Sequence, residues 1–125
     1  MNVELIEGKI VGIPYAKTKT LGDTSAPKKW TDAVIKQTEN LPKIEKSCSM
    51  KITFFLPSDK YPSDYPYGPD LDNLLKRFLD ALNKTILREA PGKDSCIVKL
   101  EAEKKMEKEK EKCGAEFELI PLAND

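Results

Sequence analysis

Two aspartates stand at the start of the most regular helical segment of the chain. Asp70 and Asp72 follow a proline-rich stretch, and Lys76 comes four residues after Asp72. Oxygen ligands suit Mg²⁺ or Mn²⁺, and a lysine beside them could contact a phosphate. The spacing therefore permits a metal-dependent site that acts on phosphate esters. Acids in a first helical turn also favour the helix dipole and cap free N–H groups, without any catalytic role.

The same residues belong to a polar stripe along that helix. Asp72, Lys76 and Asp80 recur every four residues, so they share one side of the helix. One interpretation is a solvated ladder of ion pairs. The other is that the stripe faces a cleft, with Lys76 between carboxylates and a phosphate. The sequence leaves both interpretations open.

Histidine is absent from all 125 residues. This excludes catalytic triads that contain histidine, histidine-based zinc sites and any enzyme whose general base is imidazole. If the protein is an enzyme, carboxylates and lysines must carry the chemistry. The net charge is zero, so no global positive field attracts nucleic acid, and binding of a polyanion requires local clusters of cations.

The pattern of apolar residues predicts the elements that position these groups. A helix is expected over 70–84, since leucines and a phenylalanine recur at spacings of three and four. A second helix is expected over 27–40. Strands are expected over 3–14, with a bulge at Gly8, and over 48–57, 95–106 and 115–122. The order β–α–β–α–β–β indicates an α+β fold of mixed α/β character, with residues 1–125 as one domain.

Export and membrane insertion are not indicated. The longest apolar run covers only 52–56, and the N-terminus lacks a basic start followed by an apolar stretch. The three cysteines are widely spaced and odd in number, which favours reduced thiols over a disulfide framework or a zinc site. We therefore expect a cytoplasmic protein without a membrane partner.

The stretch "GPDLDNLLKRFLDALNKTIL", followed by a loop and "KDSCIVKLEAEKK", resembles the RusA family of Holliday junction resolvases. The family pattern is an Asp-Leu-Asp-Asn start, a lysine within the helix, an Asp-Ala-Leu near its end and an acidic pair in the next loop. "VGIPYAKTKT" and "KKWTDAVI" are similar to the opening strand, basic loop and first helix of the family. The resemblance covers 8–122 and is specific over 70–105.

This resemblance implies a function and a set of site residues. The family is a group of dimeric endonucleases that make paired nicks in branched DNA with a divalent metal, which implies Mg²⁺ here, with Mn²⁺ as the alternative. Asp70, Asp72 and Asp94 match its metal-binding carboxylates, and Lys76 matches its helix lysine. A homodimer is implied, to which the 48–57 strand could contribute. Four lysines in and after the N-terminal loop are the candidate DNA-binding residues: Lys17, Lys19, Lys28 and Lys29.

Two departures from the family pattern keep alternatives open. Lys93 occupies the first position of the acidic pair, and the N-terminal loop has lysines where the family often has arginines. The second hypothesis is therefore a catalytically weak or inactive RusA-fold module that binds DNA junctions. The third is a small α/β protein whose acids are only caps and solvated ladders. It predicts no metal binding and tolerance of Asp94→Asn.

Overall fold

Four strands and two helices follow one another in the predicted order in the computed structural model, which describes residues 5–15, 26–58 and 70–122. The fold class is confirmed as α+β. The elements are β1 (Ile6–Val11), α1 (Ala26–Thr38), β2 (Cys48–Pro57), α2 (Leu71–Leu82), β3 (Ile97–Glu107) and β4 (Gly114–Pro121), with short 3₁₀ turns at Lys93–Cys96 and Lys110–Lys112. No helix in these described ranges has the length and apolar character needed to cross a membrane.

The four strands form one mixed sheet in the order β1-β4-β2-β3. β2 and β3 are parallel, whereas β4 is antiparallel to both β1 and β2. Parallel neighbours cannot be joined by a tight turn, and α2 provides the crossover between β2 and β3. Consequently α2 starts at the end of the sheet where β2 and β3 finish. It ends close to where β3 begins.

The core lies between the helices and one face of the sheet. β2 alternates from Cys48 to Leu56, because every second side chain faces the helices and is buried. The Phe78 ring of α2 is at the centre of this core, with ring centroids 5.8 Å from Phe54, 5.6 Å from Phe117 and 6.4 Å from Trp30. This packing fixes α2 against both the sheet and α1, and so determines which sides of α2 remain exposed.

The predicted bulge at Gly8 is wrong. Gly8 pairs with Phe117 in an uninterrupted antiparallel register. A Cβ atom at this position would lie 2.8 Å from the Phe117 ring, closer than real contacts allow. The glycine is therefore needed because a ring from the neighbouring strand packs against the backbone, a long-range contact that the local sequence does not reveal.

The thiols of Cys48 and Cys96 meet in the core, where the two Sγ atoms are 3.9 Å apart. Burial raises the pKa of Cys48 to about 12, with a smaller contribution from the neighbouring thiol. Burial also raises the pKa of Cys96. The protonated, neutral thiol is the form that this apolar position accepts.

The raised pKa of Cys48 predicts a loss of stability in alkaline solution. Its ordinary pKa is 9.0, so between about pH 9 and 12 the unfolded chain loses a proton that the folded chain keeps. The free energy of unfolding should fall as pH rises through this range. Urea unfolding at about pH 8 and about pH 10.5 should show a steeper decline for the natural protein than for Cys48→Ala. Equal declines would contradict the prediction.

Candidate active site

Asp70 is the residue before the first turn of α2. Its backbone is extended (φ −64°, ψ 139°), and its carbonyl accepts the hydrogen bond of the Leu74 N–H at 3.0 Å. Its carboxylate caps no backbone N–H of the helix. Among the described residues, that carboxylate accepts one long hydrogen bond, of 3.4 Å, from the Asn73 amide. The capping interpretation therefore does not account for the Asp70 side chain, which is exposed and accessible to a ligand.

The polar stripe on α2 is not an ion-pair ladder. Asp72, Lys76 and Asp80 are all exposed. In the part of the chain that the structure describes, the ion pairs are formed by other residues and include none of these three. Lys76 and Asp80 instead line a cleft. Of the two interpretations that the sequence left open, the structure favours the stripe that faces a cleft.

The cleft lies between the two helices and has a volume of about 360 Å³. It is lined by Thr31 of α1 and by one side of α2 and the turn after it, namely Asn73, Lys76, Arg77, Asp80, Ala81 and Lys84. Three cationic side chains and one carboxylate give it a local positive charge. The Arg77 guanidinium donates a hydrogen bond to the Thr31 hydroxyl at 2.8 Å, which holds it in place between the helices.

Thr31, Arg77 and Lys84 were not identified as site residues from the sequence. A signal for the last two was present, because Arg77 comes four residues after Asn73 and Lys84 comes seven residues after Arg77, which are both helical spacings. Thr31 had no such signal, since its contact with Arg77 exists only when α1 packs on α2. A positively charged cleft of this kind is suited to hold a phosphate.

Asp94 lies at the opposite end of α2 from the aspartate pair. It is half-buried in the 3₁₀ turn at Lys93–Cys96, and one of its carboxylate oxygens accepts a hydrogen bond from the Asn83 amide at 3.2 Å. Asn83 is the C-cap residue of α2. The amide oxygen of Asn83 is buried and has no hydrogen-bond partner within the described residues. The Asp94 carboxylate and this amide oxygen are a second group of oxygen atoms, apart from the aspartate pair.

Lys93 adopts an unusual backbone conformation beside Asp94. Its φ of 53° lies in the left-handed region, which is rare for residues other than glycine. Aspartate and asparagine enter this region more readily than lysine does. The departure from the acidic pair of the family therefore falls at a position whose backbone suits an aspartate. The Lys93 side chain is exposed.

The two groups of oxygen atoms are far apart within one copy of the chain. At a rise of about 1.5 Å per residue, Asn83 lies about 16 Å from Asp72 along the axis of α2. Among residues 5–15, 26–58 and 70–122, no group of three or more His, Cys, Asp and Glu side chains is close enough to hold a metal ion. The structure therefore does not bring Asp94 together with Asp70 and Asp72 in a single subunit. Their assignment as metal ligands stays a prediction.

Two of the four candidate DNA-binding lysines lie in the described ranges. Lys28 and Lys29 are exposed in the first turns of α1. The Lys28 ammonium is 2.8 Å from the Asp32 carboxylate, and this hydrogen-bonded partner raises the pKa of Lys28. Lys28 therefore stays charged, but its field is partly neutralised by Asp32. Lys17 and Lys19 lie outside the described residues.

Comparison with known proteins identifies the family. No curated protein gives a significant match. A family model described as endodeoxyribonuclease RusA matches residues 15–114, which is most of the chain. The match includes both helices, the aspartates at the start of α2, the cleft and the turn that carries Asp94. The chain therefore belongs to the RusA endodeoxyribonuclease family, the activity of which is that of Holliday junction resolvases.

Proposed function

We propose that the protein is a Mg²⁺-dependent, structure-selective endodeoxyribonuclease that resolves four-way DNA junctions by paired symmetric nicks in recombination and repair. The observation that carries the proposal is the family match over 15–114, which includes the exposed carboxylates of Asp70 and Asp72 and the cationic cleft beside them. Within residues 5–15, 26–58 and 70–122, neither carboxylate forms an ion pair, and the Asp70 side chain does not cap the helix, so both remain available for chemistry.

The donor chemistry of these residues fits a hard divalent cation. Asp70 and Asp72 offer exposed carboxylate oxygens, and the unpartnered amide oxygen of Asn83 lies beside Asp94. A bound Mg²⁺, or Mn²⁺, supplies a water of lowered pKa and offsets the negative charge of the phosphate. Because these donors are separated along α2, one copy of the chain supplies only part of the ligand set.

We therefore propose that the site is completed across a homodimer. Asp70 and Asp72 of one subunit would act with Asp94 of the partner subunit, and two such sites would be related by the two-fold axis. A four-way junction has approximate two-fold symmetry, so two symmetric sites match the paired nicks of a resolvase. The separation of about 16 Å along α2 supports this arrangement, because it disfavours a site built from one subunit.

The cleft residues have a separate task, which is to hold the DNA backbone. Lys76 is one helical turn from Asp72 on the same side of α2, so a phosphate near the aspartates would also meet its ammonium group. Arg77 is oriented by Thr31 and offers a planar guanidinium to phosphate oxygens. Lys84 extends the positive surface away from the aspartates. These cations would orient the scissile strand and stabilise charge as the bond breaks.

A catalytically weak or inactive junction-binding module is the second candidate. The observation that favours it is Lys93, which places a cation beside Asp94 where the family pattern has an acid. A nearby ammonium group competes with a metal ion for the Asp94 carboxylate. This candidate predicts binding of junctions without metal-dependent cleavage.

Cleavage of a labelled synthetic four-way junction tests the proposal, with linear duplex as the control substrate and Mg²⁺ or EDTA in parallel reactions. Metal-dependent nicks in two opposed strands near the branch, with the duplex spared, are expected. Junction binding in a gel shift without cleavage would support the binding module. A protein that neither binds nor cleaves the junction would contradict both candidates.

Lys76→Met should slow turnover much more than it weakens binding. The ammonium group at this position is expected to act on the scissile phosphate, and loss of one such group typically costs about 10²-fold in rate. The cleavage rate is measured with enzyme in excess, and affinity is measured by gel shift without metal. Lys84→Met is the matched control, which should weaken binding with little effect on the rate at saturation. An unchanged rate for Lys76→Met would remove this residue from the catalytic site.

A further inference from the structure

The three cations that line the cleft on α2 differ in how they are held. Lys76 and Lys84 are exposed, and the ion pairs that the described residues form include neither of them. Arg77 is half-buried, and its guanidinium donates a hydrogen bond to the Thr31 hydroxyl of α1. A lysine ammonium is a point charge on a flexible stem, whereas a guanidinium is a planar fork that binds phosphate in a defined direction. Of these three cations, Arg77 is therefore the one with a defined position.

The core fixes both partners of this hydrogen bond. Trp30 precedes Thr31 on α1, and Phe78 follows Arg77 on α2. Both aromatic side chains are buried, and their ring centroids are 6.4 Å apart. Thr31 is β-branched, which restricts the rotamers of its side chain in a helix. The packing of α1 on α2 consequently holds the hydroxyl in a constant place, and the hydroxyl holds the guanidinium.

A phosphate bound by Arg77 is a different phosphate from the one beside the aspartates. Arg77 comes five residues after Asp72, which is about 7.5 Å along the axis of α2 at a rise of about 1.5 Å per residue. One strand of duplex DNA rises about 3.4 Å per nucleotide. A strand that follows the cleft along α2 therefore places the phosphate at Arg77 about two nucleotides from the phosphate that meets Asp72.

Asp80 limits where phosphates can lie along the cleft. It comes three residues after Arg77 and four before Lys84, and its carboxylate lines the same cleft. A carboxylate repels a phosphate, because both are negatively charged. A strand therefore does not slide freely from one cation to the next. The favoured positions are discrete, one at Arg77 and one at Lys84.

We propose that Arg77 binds a phosphate about two nucleotides from the scissile bond, and that Thr31 positions Arg77 so that one particular phosphodiester is cut. This inference rests on the proposed nuclease function and adds what determines the position of the nick. The DNA backbone repeats the same charge at every nucleotide, so flexible lysines bind neighbouring phosphates equally well. A guanidinium in a fixed place distinguishes between them, because a shift of one nucleotide moves the phosphate about 3.4 Å away from its donors.

Mapping the nick at nucleotide resolution tests the proposal. The natural protein and each variant cut an end-labelled four-way junction, with a branch point that cannot migrate, in Mg²⁺, and the products are sized on a sequencing gel. Thr31→Val removes the hydroxyl and nearly keeps the shape of the side chain. Because hydrogen bonds to charged groups are strong, its loss should lower the preference for the natural bond over its neighbours about tenfold. Thr31→Ser keeps a hydroxyl and should keep the single position.

Arg77→Lys is the second variant, because it keeps the positive charge but loses the planar fork. It should spread the nicks over neighbouring bonds in the same way. The matched control is Thr53→Val, which makes the same change at a half-buried threonine of β2 that faces away from the helices. The position and the rate of its nicks should equal those of the natural protein. Thermal unfolding establishes that each variant is folded.

The salt dependence of junction binding separates the phosphate contact from its positioning. Each phosphate contact contributes about 0.9 to the slope of log affinity against log salt concentration. In gel shifts without metal, Arg77→Met should therefore have a slope smaller in magnitude by about one for each cleft that contacts the DNA. Thr31→Val keeps the cation and should keep the natural slope. An unchanged slope for Arg77→Met would overturn the phosphate contact.

The outcomes separate this inference from the nuclease proposal. If Thr31→Val and Arg77→Lys cut only at the bond that the natural protein cuts, the inference is overturned and the nuclease proposal stands. If both variants spread the nicks while Thr53→Val does not, the inference is supported. A natural protein that binds the junction without cutting it would overturn the nuclease proposal and the role in nick position together, and the slope of Arg77→Met would then decide the phosphate contact alone.

Discussion

Asp72→Asn is expected to abolish cleavage of four-way junctions while the protein remains folded. Asp72 is exposed on α2, and no ion pair among the described residues includes it. Replacing an exposed carboxylate by an amide of the same shape typically changes stability by no more than about 0.5 kcal/mol. The loss of a metal ligand is far more costly. Changes to groups that merely support ligands already cost about 10–100-fold, so the rate should fall by at least about 10²-fold.

The measurement is single-turnover cleavage of a labelled junction, with circular dichroism and thermal unfolding to establish that the variant is folded. Glu89→Gln is a suitable control, because it also replaces an exposed carboxylate by an amide but lies in the turn after α2. Its rate should equal that of the natural protein. Activity of Asp72→Asn within a few-fold of the natural rate would refute its assignment as a metal ligand.

The secondary structure could be predicted because it depends on local periodicity. The apolar residues of α2 recur at helical spacing, and their central member, Phe78, became the centre of the core. β2 was predicted over 48–57 and has those bounds. The purpose of Gly8 could not be predicted, because it depends on the ring of Phe117, which is distant in sequence and adjacent only in the sheet.

The part of the candidate site that depends on local spacing could be predicted, and the part that depends on contacts between distant elements could not. Asp72 and Lys76 lie on α2 and Asp70 is its N-cap residue, so their proximity follows from spacing alone. The cleft requires α1 to pack on α2, and its anchor between Thr31 and Arg77 joins residues 46 positions apart. The location of Asp94 depends on the crossover between β2 and β3. The sequence identified Asp94 as a candidate through the family pattern. Only the fold shows that, within one subunit, Asp94 and the aspartate pair lie at opposite ends of α2.

Mixing two inactive variants should restore nicking if the site is shared between subunits. Asp72→Asn and Asp94→Asn are each expected to be inactive as homodimers, since each would damage both sites. In a heterodimer of the two variants, one site contains both substitutions and the other contains neither. With random assortment, about half of the dimers are heterodimers and about a quarter of all sites are intact.

This experiment distinguishes the two possible locations of the site directly. The variants are co-expressed with different affinity tags, and heterodimers are purified through both tags before the junction assay. A shared site predicts nicking of one strand per junction, without the paired second nick, because each heterodimer has one intact site. If all carboxylates of a site came from one subunit, both sites of every heterodimer would be damaged and no nicking would return. The separation of Asp94 from Asp70 and Asp72 along α2 favours the first result.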